Sequence, residues 1–273
     1  MSYRVKTICR LTGINRSTLL AWERRYNVVE PTRADNGYRV YSEHDLEKLL
    51  RLKALVDKGH AVSEALGMLG GASLDGAPER LLERLADFDH AGASSLADEY
   101  DPHEAGVLVA ELYMPALAEL GNRWARGETS VAQEHFASGF VRERLLRLLE
   151  RVKRDDGRLA AFFTAPGEKH ELGLLGAAVR LAEQGWRTDW LGLELPIDEL
   201  PAYCRQNAPE LVCTSLIRHR PAEQQHRLVV ALRRTLPEDV KLAVGGRGAV
   251  GLEVEGVLTA IRFQNLLTAL QAH

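Results

Sequence analysis

The chain has 273 residues, 45% hydrophobic and 27% charged with only 10 prolines, a composition that excludes wholesale disorder and collagen-like repeats and allows two or three compact units. No apolar run approaches the ~20 residues needed to cross a bilayer, and the charged start MSYRVKTICR lacks a signal peptide's apolar stretch, so a cytoplasmic protein without a membrane partner is expected. Net charge is −3, yet residues 1–60 hold 12 Lys/Arg against 7 Asp/Glu; a basic head on an acidic body points to an anionic partner for the head, with phosphate backbone the first candidate.

The head reads as two short helices, Lys6 to Leu11 and Arg16 to Arg25, broken at Gly13 and restarted by Asn15 as N-cap. That is helix-turn-helix spacing. Asn36-Gly37, flanked by Arg33, Tyr38, Arg39 and Tyr41, is a two-residue hairpin signal and predicts a basic β-wing. Ser42 and Asp45 resemble a capping box opening a third helix, whose stripe of Leu46, Leu49, Leu50, Leu52 and Leu55 runs to Gly59. Residues 70–76, GGASLDG, read as a linker, which puts a winged helix-turn-helix domain at 1–70.

From Pro78 to about Lys153 the pattern is helical, with turns near His90-Ala91-Gly92, Asp101-Pro102 and Arg126-Gly127. It predicts a four-helix bundle at 76–155, with Pro115 kinking the third helix. After Asp155-Asp156-Gly157 short apolar runs appear at Leu159–Thr164, Thr188–Leu191, Leu211–Leu216, Lys241–Val244 and Gly256–Thr259. Their alternation with helical stretches predicts an α/β domain at 157–273, a doubly wound, flavodoxin-like (Rossmann-like) five-stranded parallel sheet. Such sheets bind ligands beyond the carboxyl ends of their strands, where loops begin at Pro166, Leu193, Ile217 and Gly245. Cys9, Cys204 and Cys213 have no C-x-x-C spacing, which argues against a disulfide frame or zinc site.

For DNA reading, the second helix must offer donors to phosphates and base edges; Arg16, Ser17 and Thr18 stand at its start and Arg24 and Arg25 at its end. The run Trp22 to Tyr26 (WERRY) followed by GYRVYS resembles the MerR family of winged helix-turn-helix regulators over residues 1–70. The resemblance implies a dimer on a palindromic double-stranded DNA operator, with Arg33, Tyr38, Arg39 and Tyr41 of the wing holding the flanking backbone. Trp22 and Tyr41 read equally well as core packing.

The loop Pro166 to Gly173, PGEKHELG, puts His170 at the sheet's binding edge. A lone histidine is more often structural than ligating. Glu168, however, can accept the imidazole's second N–H and fix the tautomer, as the group behind a metal-bound histidine does. Gly173 removes a side chain where the next helix would obstruct a large ligand. Glu168-x-His170-x-x-Gly173, Thr214-x-Leu216 and Gly245-Gly246 resemble the cobalamin-binding domain of methionine synthase and the mutases (D-x-H-x-x-G, S-x-L, G-G), with Glu for Asp and Thr for Ser. The resemblance implies that His170 replaces the vitamin's benzimidazole below cobalt. The displaced tail then slots into the sheet past Thr214, Leu216, Gly245 and Gly246.

Trp124 and Glu134-His135 are spaced W-x9-E-H across the Arg126-Gly127 turn, so all three can converge on one pocket. Joined to the MerR-like head and the cobalamin-like tail, this is similar to the CarH and LitR family of adenosylcobalamin-dependent light-sensing repressors over nearly the whole chain. That likeness implies Trp124 bordering the upper-ligand pocket and Glu134 and His135 contacting the adenosyl group. One residue departs: Ala125 stands where the family's best-understood members carry a histidine that takes the upper cobalt position after illumination. The expectation is a non-enzymatic, homo-oligomeric (dimer or tetramer) repressor controlled by a bound corrinoid and by light. Adenosylcobalamin is the expected cofactor, with methylcobalamin or another tetrapyrrole left open by Ala125. A light-independent cobalamin sensor is the alternative; a corrinoid methyl carrier is a further one, against which the winged head weighs.

Overall fold

The computed structural model describes residues 2–26, 28–29, 31–33, 38–62, 65, 74–218, 220–260 and 263–271. The Asn36-Gly37 hairpin signal and most of the GGASLDG linker lie outside them. The chain divides into two compact units, Met1–Ser73 with Leu96–His103, and Leu74–Ser95 with Glu104–His273.

In the first unit α1 (Val5–Thr12) ends at Gly13, whose φ of 69° lets its N–H cap Cys9 O. Then α2 (Arg16–Tyr26) begins as expected at Asn15, whose Oδ1 accepts from Thr18 N–H at 2.8 Å. The wing pairs β2 (Thr32–Arg33) with β3 (Arg39–Ser42), and β3 also takes a strand that the sequence pattern did not announce, β1 (Ser2–Arg4), in the order β1-β3-β2. α3 (Glu43–Asp57) opens on the Ser42/Asp45 capping box, both of its bonds present. Ile8, Leu19, Trp22, Tyr41, Leu49 and Leu52 close the core.

Four helical stretches follow: Ala77–Ala86, His90–Tyr100, Ala105 through Ala125, and Val131–Val152. The first turn falls at residues 87–89, ahead of the expected His90-Ala91-Gly92, because Asp89 Oδ1 accepts Gly92 N–H at 2.8 Å and starts the next helix there. Before Pro115 the third stretch loosens into a π-helical turn, Leu108–Tyr113, and Met114 N–H reaches back to Val109 O. The widened turn is how the chain absorbs a residue with no N–H to give. The last helix starts on a Ser130/Gln133 capping box.

The sheet is parallel throughout, β4 (Leu159–Phe163), β5 (Arg187–Gly192), β6 (Leu211–Ser215), β7 (Lys241–Gly245) and β8 (Val257–Ala260), in the order β5-β4-β6-β7-β8. Alternate residues feed two cores: Phe163, Val212 and Val244 on one face, Phe162, Cys213 and Ala243 on the other. Strand order reverses between β4 and β6, so the loops after those strands flank the crevice where such sheets hold ligands. Among the described residues no helix is long and apolar enough to cross a membrane.

Candidate functional site

The loop leaving β4 is organised around one carboxylate. Glu168 is fully buried, and its Oε2 accepts the peptide N–H groups of Ile217 at 2.7 Å and Arg218 at 2.8 Å, from the loop leaving β6. Its Oε1 accepts His170 N–H at 3.1 Å and meets His170 Nδ1 in a short contact. Burial pushes the Glu168 carboxyl up, but the bonds from Arg218 N–H, the His170 ring and Ile217 N–H outweigh it, and it stays ionised below the usual carboxylate range. Thr164 fixes the loop from the other side: its hydroxyl donates to Glu168 O at 2.7 Å and accepts Glu194 N–H at 2.8 Å.

His170 turns Nδ1 to Glu168, which leaves Nε2 as the ring nitrogen free to meet a ligand, and the side chain is 59% exposed at the crevice edge. Ser215 Oγ donates to His170 O at 3.4 Å. Glu171, next along, is buried and accepts from Arg142 Nε at 2.6 Å, which ties the loop to the helix Val131–Val152.

Thr214 lies one residue before the end of β6, and its Oγ1 is buried with no hydrogen-bond partner among the described residues, so a water or a ligand is needed to complete the bond. Leu216 N–H donates to Gly245 O at 2.9 Å, so the Thr214-x-Leu216 and Gly245-Gly246 segments are joined at the carboxyl edge. Gly246 has a φ of +86°, and a methyl group on it would meet Leu216 O at 2.5 Å; only glycine allows this approach. Gly173 is exposed, with open space where a side chain would begin.

In the helical segment, Trp124 is 48% exposed at the end of Met114–Ala125. Glu134 and His135 bond each other, Oε2 to Nδ1, at 2.5 Å, and Ser138 Oγ donates to Glu134 Oε1 at 2.7 Å. The intervening turn is pinned by Arg126, paired with Glu128 at 2.8 Å and Glu119 at 3.3 Å. Val131 here and Leu193 and Val250 on the sheet's loops are also exposed, apolar surface of the kind a bound macrocycle covers. His170 supplies one donor, and among the described residues no three His, Cys, Asp or Glu side chains gather around a metal position. One imidazole, one orphan hydroxyl and a glycine-lined strand edge fit a metal whose other positions a corrin fills.

In the head, Arg16, Ser17, Arg24 and Arg25 are exposed and Thr18 half-buried along α2. Tyr38 is exposed on the wing. Arg39 is half-buried and paired with Glu23 at 3.1 Å. Arg33 pairs with Arg39 through β2 and β3; its side chain is outside the described residues. Tyr41, expected among the DNA-contacting residues, is instead completely buried, and its hydroxyl donates to Glu23 Oε1 at 2.5 Å. Trp22 is likewise core. Glu23, which anchors both Tyr41 and Arg39, stood in the sequence only as part of the WERRY run, with no sign of these two partners 18 and 16 residues away.

Residues 3–71 match the MerR HTH family regulatory protein and residues 78–149 the B12 binding domain. The HTH-type transcriptional repressor CarH of Myxococcus xanthus is 34% identical over 91% of this chain and 90% of its own length. The chain belongs to the CarH family of HTH-type transcriptional repressors. CarA from the same organism is 35% identical over 91% of this chain and 88% of its own. The B12 binding match of this CarH-family chain falls on the helical segment that carries Trp124, Glu134 and His135. The monomethylamine corrinoid protein of Methanosarcina barkeri superposes with a TM-score of 0.59 at 17% identity, covering 74% of this chain and all of that protein; the likeness is one of fold.

Proposed function

We propose that this chain is a cobalamin-dependent repressor in which His170 would hold the cobalt and the assembly of several basic heads on operator DNA depends on the cofactor's state. Adenosylcobalamin is the cofactor, green light the signal, and the cytoplasm the place of action; the protein regulates and does not catalyse. The observation that carries this reading is the Glu168–His170 pair, clamped to the loop after β6 at the strand-order reversal.

The cofactor supplies a cobalt–carbon bond that light breaks. Everything else is done by this chain's residues. Glu168 keeps the His170 proton on Nδ1 and the lone pair on Nε2. Thr214, with Leu216 beside it and Gly245 and Gly246 leaving room, would hold the nucleotide tail, and Gly173 would leave space for the ring. Trp124 would shield the cofactor from water, and the Glu134–His135 pair would hydrogen-bond the hydroxyls of its adenosyl group. In the head, Arg16, Ser17, Thr18, Arg24 and Arg25 contact phosphates and base edges, supported by the wing residues Arg33, Tyr38 and Arg39.

Only a difference in affinity between assemblies lets a ligand choose one, and gathering two or four heads raises avidity for repeated half-sites. Gel filtration and operator binding of the adenosylcobalamin-loaded protein, in darkness and after green light, test the reading: a change in elution with loss of operator binding supports it, and no change in either contradicts its light-dependent part. A second reading rests on Ala125, whose methyl cannot coordinate cobalt. It is a light-independent reporter of cobalamin supply, holding methylcobalamin or another tetrapyrrole, in which loading alters operator affinity and irradiation does not.

A further inference from the structure

Arg218 and Arg220 follow β6 by three and five residues. A methyl group built on Gly167 would lie 3.1 Å from Arg220 Nη2 and 3.8 Å from Arg218 Nη1, so two guanidinium groups approach the same point above the His170 loop. Among the described residues neither has a carboxylate partner. Arg220 Nη2 donates to Pro166 O at 2.8 Å, while its Nη1 is buried and bonds nothing. Two like charges held together repel, and one anion beside Arg218 Nη1 and Arg220 Nη2 would relieve that repulsion.

We infer that Arg218 and Arg220 form a subsite for the phosphodiester of the cobalamin nucleotide tail. The inference rests on the His170 reading and goes beyond it. Thr214, with its unpartnered buried hydroxyl, precedes Arg218 by four residues on the same strand and loop. A tail whose base is buried beside Thr214 leaves the sheet through the mouth formed by this loop. The linkage between base and corrin ring carries the tail's formal negative charge at its phosphodiester, and planar guanidinium forks match that group better than ammonium does.

The experiment titrates the full apo chain in darkness with adenosylcobalamin and with adenosylcobinamide, which lacks the nucleotide and its phosphodiester. The native chain binds adenosylcobalamin more tightly, with an affinity that falls as salt rises, and inorganic phosphate competes with it but not with adenosylcobinamide. In an Arg218→Gln/Arg220→Gln variant, affinity for adenosylcobalamin falls about tenfold while that for adenosylcobinamide stays unchanged; Arg218→Lys/Arg220→Lys recovers part of the loss. Should the double variant fail to fold, exposed Arg218→Gln alone gives a smaller loss in the same direction. Equal weakening of both corrinoids, or no weakening of either, overturns the subsite. So does a variant that keeps its preference for adenosylcobalamin but loses operator affinity, which would mean that the patch reads DNA. His170→Ala weakens both corrinoids alike, so a native chain that binds both equally sinks the subsite alone, and one that binds neither sinks the parent reading as well.

Discussion

Glu168 shows at the residue scale how a buried charge is kept. Its carboxylate is removed from water, yet three peptide N–H groups and an imidazole surround it, and such charge-assisted bonds offset desolvation only when nearly all the lone pairs are used. Because its folded pKa is depressed, its contribution to stability is fully present above the ordinary value of 4.5 and is lost as pH falls through the lower folded value. Glu168→Gln should therefore cost about 1–3 kcal/mol at neutral pH and flatten the loss of stability below that value, as followed by urea unfolding across the acid range. Tyr41→Phe is expected to cost about 1–2 kcal/mol through the lost bond to Glu23, and to leave operator affinity unchanged in a gel-shift assay. A large loss of binding with unchanged stability would restore Tyr41 as a DNA contact. The contact between Glu168 and His170 was legible because the two stand two residues apart on one loop. The partners of Glu168 were not, since Ile217 and Arg218 lie 49 and 50 residues away in sequence. Tyr41 was ambiguous for a different reason: an aromatic beside arginines suits both a core and a phosphate backbone.

At the scale of elements, the strand–loop junctions do the positioning. Gly246 lies in the left-handed region with Leu216 O close against it, so Gly246→Ala adds backbone strain and a clash with a carbonyl that cannot turn aside. We expect a loss of about 2–4 kcal/mol in thermal unfolding and failure to take up corrinoid; a variant with native stability and uptake would show that the turn is not part of the cradle. The strands and their parallel order were legible from the change of period after Gly157, because both-face burial forces continuous apolar runs. The turn at residues 87–89 was misplaced by the pull of Gly92, since the Asp89 cap that sets it acts three residues earlier. The strand Ser2–Arg4 is too short to carry a period, and the disturbance at Pro115 was foreseen as a kink while its form, a π-helical turn, depends on packing: Val109 and Met114 press against Gly176.

At the scale of the whole molecule, the basic excess lies in residues 1–60, inside the stretch that matches the MerR HTH family, where a DNA-binding head needs it. Arg24→Ala/Arg25→Ala should lower operator affinity and reduce the salt slope by about 2, with corrinoid uptake unaffected; unchanged operator binding would contradict the assignment of these arginines. The central claim is that one imidazole on the first strand–helix loop coordinates a corrin-held cobalt. The direct test is spectrophotometric titration of the native chain and of His170→Ala with adenosylcobalamin in darkness. The account predicts tight uptake by the native chain with a shifted cobalt spectrum, and weak uptake by the variant without that shift. Equal uptake with identical spectra would contradict it.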